Sequence, residues 1–309
     1  MLAFFHEAAY MGSDSAESMD FCASRSRIWR NGAGLVAERQ HIIIHAGFHR
    51  CASTAVQDLL RARRPVIEAS GTALLLREDL EGWLAGRQLR LLYRHKAGSL
   101  PSAVRFALAK SMLRRTGAAR VLISEENLIG MMPGVAETRF YPHFRAFLKA
   151  VKLLSQDFDI SLRFITRRPD RFLESAYAFR VVRGLRMPFP AFLEAVGQDA
   201  ADWSRLAAEV EAAGLLGLTR FACLEAWGQE NPGAAALAFL GHADAADGDL
   251  KFSGNRRRTA DELQAVVGEG VEVGFTDAGR QAFLNRHADA MKAFLVSPMV
   301  DAAADPWGL

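Results

Sequence analysis

Apolar residues fall along this chain in two spacings that alternate. Short unbroken runs, HIIIHA at 41–46 and RVLIS at 120–124, have the length and β-branched content of buried strands. DISLRFITR at 159–167 alternates through Ile160, Leu162 and Phe164 and predicts a third strand. Between and after these runs the spacing is helical: STAVQDLLRARR (53–64), PSAVRFALAKSMLRRTG (101–117) with its Gly stop, and 137–155. PDRFLESAYAFRVVRG (169–184) opens on Pro at its first helical position and closes on Gly. LGLTRFACLE (216–225) reads as a fourth strand and the remainder as mostly helical, ending in a long stretch near 276–295. Strand followed by helix, repeated, predicts an α/β fold: a mainly parallel sheet flanked by helices in one domain. The pattern leaves the strand order open.

Composition narrows this picture at a few points. A chain of 309 residues with 50% hydrophobic and 24% charged residues is ordinary for a globular protein. Residues 1–38 carry Ser, Asp and Gly freely and little period, so they are expected to form a poorly ordered leader, with the α/β domain spanning 39–309. The start MLAFFHEAAY lacks a signal-peptide pattern, and no apolar run reaches the roughly 20 residues of a membrane span. A net charge of +3 suits an anionic ligand and is too weak to argue for nucleic acid. Cys22, Cys51 and Cys223 are isolated thiols, neither a disulfide framework nor a metal cluster, so a reducing, cytoplasmic setting is expected.

The candidate chemistry starts in the turn after the first strand. Gly47 allows a tight exit, and Ser53 and Thr54 bring two hydroxyls to the start of the next helix, where backbone N–H groups and the helix dipole favour an anion. Against the Walker pattern, Ala52 stands where a second Gly belongs and the Lys is missing, which argues against ATP hydrolysis. On this loop alone, a phosphate cradle and a plain turn with a Ser cap stand level. Two later segments tilt the balance: SEENL at 124–128 and RRPDRFLESAY at 167–177.

Together with HAGFHRCASTAVQ, these segments resemble the sulfotransferases that use 3′-phosphoadenosine 5′-phosphosulfate (PAPS). The likeness lies nearest the bacterial branch, whose loop reads H-x-G-x-H-K-T-G-[ST]-T-S-x-Q. His45, Gly47, His49, Ser53, Thr54 and Gln57 fall on that pattern in register, while Arg50, Cys51 and Ala52 replace its Lys, Thr and Gly. The resemblance covers about 41–180, with a weaker echo at Asn255. It implies a P-loop-like fold and PAPS bound by residues 47–54, with Arg167 and Ser175 on the 3′-phosphate. Arg50 would neutralise the leaving 5′-phosphate. Glu126 would be the base, with Glu125 the neighbour open to confusion and His49, His143 and His95 weaker candidates. Arg256, Arg257 and Arg258 could close on the nucleotide from a late loop. The acceptor would be a small molecule or glycan, or a lipid, offering a hydroxyl or amine; no metal is required.

Three bland alternatives stand beside this. The basic stretch 87–115 reads first as a solvated helical face, Arg168 and Arg171 as solvated charges, and Phe172 and Phe179 as core. At the level of function, a nucleotide kinase with an altered loop and a nucleotide-binding protein without catalysis remain rivals. Oligomeric state is not readable.

Overall fold

The computed structural model describes residues 39–92, 100–130, 132, 139–197, 201–228, 230–248, 250–252, 258–301 and 305–308. The leader expected at 1–38 and the Asn255, Arg256 and Arg257 positions lie outside the described residues, as does His95.

Six strands form one all-parallel sheet: β1 His41–His45, β2 Thr72–Leu75, β3 Arg120–Ser124, β4 Asp159–Thr166, β5 Thr219–Cys223 and β6 Val300–Asp301. Their spatial order is β2-β3-β1-β4-β5-β6. The helices are α1 Ser53–Ala69, α2 Arg77–Gly82, α3 Leu84–Arg90, α4 Ser102–Arg115, α5 Phe144–Leu154, α6 Pro169–Val182, α7 Phe189–Val196, α8 Trp203–Ala212, α9 Pro232–Phe239, α10 Ala260–Val267 and α11 Asp277–Leu295. No described helix is long and apolar enough to cross a membrane.

The four strands expected from apolar runs are present, β3 with the expected bounds and the other three trimmed at their ends. Residues 216–218 and 224–227 are 3₁₀ turns around β5 rather than strand. Two strands escaped the pattern. β2 is four residues long and runs straight into α2, and β6 is two residues long, so neither offers a period to count. The helix expected to stop at Arg64 instead continues through Pro65 to Ala69. Pro65 has no N–H for an intrahelical bond. The helix expected from 137 begins at Phe144.

β1 is buried on both faces through Ile42, Ile43 and Ile44, as a strand between two helical layers must be. It pairs in register with β3, His45 opposite Ser124, and with β4, His45 opposite Arg163. Above it Phe48 is wholly buried among Tyr141, Phe164 and Trp203, with ring centroids 4.9, 5.2 and 4.9 Å away. That cluster pins the turn leaving β1 to the core. α6 is fixed by a buried carboxylate: Asp170 takes Arg168 at 2.7 Å and also Arg280 of α11, which bonds Glu174 at 2.6 Å. Arg168 is thus ion-paired, not the solvated charge its position suggests.

Candidate functional site

The strand order gathers three chain exits. β3, β1 and β4 lie side by side, so the turns after Ser124, His45 and Thr166 emerge together at the carboxyl edge of the sheet. From β1 the chain returns towards β2 and β3, and from β4 it leaves towards β5. Such a divergence opens the crevice where α/β sheets bind ligands.

In the first turn, His49 N–H donates to Tyr141 Oη at 3.0 Å and Cys51 N–H to the Phe48 carbonyl at 3.2 Å. Arg50 and Ala52 have φ of 66° and 63°, with Cys51 on the ordinary negative side between them. That alternation of backbone hand is the conformation of an anion nest, with the Cys51 N–H already taken by the Phe48 carbonyl. Ala52, not Ser53, is the N-cap of α1, and no side chain caps its first amides, so these remain available to an anion. Gly47 does not need a left-handed backbone. A Cβ there would stand 2.7 Å from Ser53 Cβ, so the residue is small because the turn presses against α1. The Cys51 thiol is fully buried and pushed far above its ordinary pKa, which makes it packing rather than chemistry. Thr54 is exposed at the rim.

The turn after β4 reaches the same place. Arg50 Nε donates to Ser175 Oγ at 3.0 Å, and Arg167 Nη1 to the Arg50 carbonyl at 3.3 Å. Trp203 Nε1 holds the Arg167 carbonyl at 2.8 Å. Burial and the adjacent Arg167 both press the Arg50 guanidinium towards giving up its proton, the mark of two cations sharing a site. Neither is engaged in an ion pair among the described residues. Arg50 and Arg183 also stand over the Phe179 ring, at 5.3 and 4.4 Å, so Phe179 is a half-buried platform for guanidinium groups while Phe172 is true core. Arg50, expected at the leaving phosphate, has its guanidinium on the residue expected at the 3′-phosphate.

The turn after β3 separates the two glutamates. Glu125 is wholly buried: its Oε1 accepts from the Asn127 N–H at 2.9 Å, and both its oxygens take Arg77 at 3.2 Å. It caps the 3₁₀ turn Glu126–Ile129 and is structural. Glu126 instead points at the loop. Ser53 Oγ donates to its Oε2 at 2.6 Å and Arg77 Nη2 to its Oε1 at 2.8 Å. Burial alone would raise its pKa, but His49, Ser53 and Arg77 together hold the carboxyl below its ordinary value. Arg77, the first residue of α2, belongs to no motif, so nothing in the sequence marks it as part of the site.

Two imidazoles complete the cluster. His45 Nδ1 shares a hydrogen bond with Ser124 Oγ at 2.8 Å, and burial holds its pKa near about 4. Its Nε2 is buried without a partner among the described residues, as is His49 Nδ1. His41, His49 and His242 are also held below their ordinary value, chiefly by burial. Above about pH 6.5 these rings are neutral whether the chain is folded or not. Below it the unfolded chain takes protons that the folded chain refuses. Stability is therefore expected to fall as the pH drops below about 6.5, by about 1.4 kcal/mol per pH unit while the fully buried His45 ring is in its window down to about pH 4, with the other three rings adding in the same direction. Urea midpoints at pH 7 and pH 5 measure this, and His45→Gln should make the decline shallower. An unchanged slope would remove His45 from the account.

The remaining candidates scatter. Arg258 lies 3.6 Å from Glu262. His143 packs against Gly130, where an added Cβ would meet its ring at 3.3 Å. Much of the basic stretch is paired: Arg90 with Glu81, and Lys110 and Arg114 with Asp157. A concavity of about 1010 Å³ is lined by α4 and α5 residues such as Phe106, Lys110 and Leu153, and no residue of the loop lines it. The loop site is defined by converging polar groups, not by volume. Comparison of the chain with protein-family models, with curated proteins and with solved structures finds no match.

Proposed function

We propose that this chain is a PAPS-dependent sulfotransferase on a P-loop-like fold. The observation that carries the reading is the single contact of Arg50 with Ser175, reinforced by Arg167 on the Arg50 carbonyl. It joins the anion nest to the arginine–serine pair, giving one cationic surface for a nucleotide with phosphates at both the 5′ and 3′ positions. The donor set fits such a group: uncapped helix amides, two guanidinium groups and hydroxyls at Ser175 and Thr54. Ala52 supports the resemblance in a further way. It holds the left-handed backbone that the glycine of the family pattern would adopt freely, so the loop shape survives the substitution.

When bound, PAPS supplies an activated sulfuryl group. The chain's own part is to hold the nucleotide and spread positive charge over it through Arg50 and Arg167. Glu126 then receives the proton of an acceptor hydroxyl or amine. The acceptor class is open to a glycan, a lipid or a small molecule. A second reading, a nucleotide-binding protein without catalysis, is favoured by one specific observation: both Glu126 oxygens are engaged and its proton affinity is reduced.

Thermal stabilisation separates these from the kinase alternative. Adenosine 3′,5′-bisphosphate at about 100 times its Kd should stabilise the fold by about 2.7 kcal/mol, with ATP and magnesium giving much less. Equal stabilisation by both, or a preference for ATP and magnesium, would sink the reading. Release of sulfate from PAPS then divides enzyme from binding protein.

A further inference from the structure

We infer that the Ser53 hydroxyl is a shared donor that couples an anion on the loop to the freedom of Glu126 Oε2, an inference that rests on the nucleotide reading. Ser53 has one hydroxyl proton, and in this structure it goes to Glu126 Oε2 at 2.6 Å. The same residue opens α1, immediately after the left-handed Ala52, where the helix's first amides carry no side-chain cap and are available to an anion. A phosphate oxygen seated there competes for the same proton, and rotation about a single side-chain bond is all the exchange requires.

The other hold on Glu126 cannot exchange in this way. Arg77 donates to Glu126 Oε1 at 2.8 Å while its Nε and Nη2 are bound by the fully buried Glu125, both at 3.2 Å. Arg77 therefore fixes the carboxylate in place, and Ser53 is the partner able to turn. The charged and titratable groups acting on Glu126 are Arg77 from α2, His45 from β1, His49 and Arg50 from the loop, Tyr141 ahead of α5 and the adjoining Glu125. None of these contacts needs to break for Ser53 to change partner.

Two consequences follow. Loss of one donor leaves Oε2 open to an acceptor's proton, so the base is freed only once the loop is loaded, and the nucleotide binds first. The carboxylate also takes up a proton more readily when a donor leaves and an anion arrives. Binding is then linked to proton uptake, and a change of about one pKa unit corresponds to roughly half a proton at the best pH.

Calorimetric titration of the full chain in buffers of differing protonation enthalpy, from about pH 4 to pH 6, reads this uptake directly. The ligands are adenosine 3′,5′-bisphosphate and inorganic pyrophosphate. Subtracting the Glu126→Gln value removes protons taken by the ligands themselves. Wild type is expected to show about half a proton more than Glu126→Gln. Ser53→Thr, which keeps the hydroxyl, should retain that excess, and Ser53→Ala should lose most of it. Equal uptake by wild type and Glu126→Gln, or a full excess in Ser53→Ala, overturns the coupling while leaving the nucleotide assignment standing. Uptake with pyrophosphate and no binding of the bisphosphate overturns the nucleotide assignment and keeps the coupling. Failure of both ligands to bind overturns both.

Discussion

Glu126→Gln is expected to lower sulfate transfer by about 10²–10⁴ while leaving the affinity for adenosine 3′,5′-bisphosphate nearly unchanged. The substitution keeps the shape and can keep the Ser53 contact through the amide oxygen, but it removes the proton acceptor. Glu125→Gln is the control, and the geometry separates the two. Glu125 is sealed beneath the turn on Arg77 and the Asn127 amide, so its loss should lower the melting temperature with a far smaller change in transfer per folded molecule. Transfer rates and melting curves for both variants test this. If Glu125→Gln alone abolishes transfer in folded protein, the base has been misassigned by one position. If Glu126→Gln matches wild type in hydrolysing PAPS, Glu126 has no role in proton transfer.

Arg167→Ala is expected to weaken adenosine 3′,5′-bisphosphate by roughly ten- to a hundredfold, and AMP by much less. A hydrogen bond to a charged group contributes about 1.5–3 kcal/mol, and only the bisphosphate carries the group that Arg167 would hold. The Arg167 side chain also supports the loop through the Arg50 carbonyl, so a small common loss for both ligands is built in. The discriminating quantity is the ratio of the two losses, read by calorimetry. A ratio of one would dissolve the proposed 3′-phosphate contact and leave Arg167 as a brace for the loop.

Part of this architecture is legible in the sequence because short-range physics sets it. The runs at 42–44 and 121–123 are buried on both faces and so are apolar without interruption. α6 begins where Pro169 permits and requires a start. The strand order was not legible, because nothing in HIII or RVLI says which neighbour it will take. With the order hidden, the Ser53–Glu126 contact across 73 positions and the Arg50–Ser175 contact across 125 were hidden too. Arg77 could not be found at all, since an arginine at the start of a six-residue helix has many ordinary uses and only the fold brings it to both glutamates. Phe179 does pack against the core, and its second use under Arg50 and Arg183 is hidden because helical spacing marks a face as covered without saying whether leucine or guanidinium covers it.

The central place of β1 carries a consequence for how the chain assembles. β1 is made before the other strands, yet its partners are β3, starting at Arg120, and β4, ending at Thr166. Until the ribosome has delivered β4, the HIII segment has an unpaired edge, and closing the long intervening loops costs entropy before any pairing returns it. Folding should therefore be slow and late, with β1 exposed as a template for wrong pairing during synthesis. The same event that closes β4 against β1 brings Arg167 to the loop, so acquisition of the fold and of the proposed anion site coincide in time, and a chain arrested before residue 166 would hold neither.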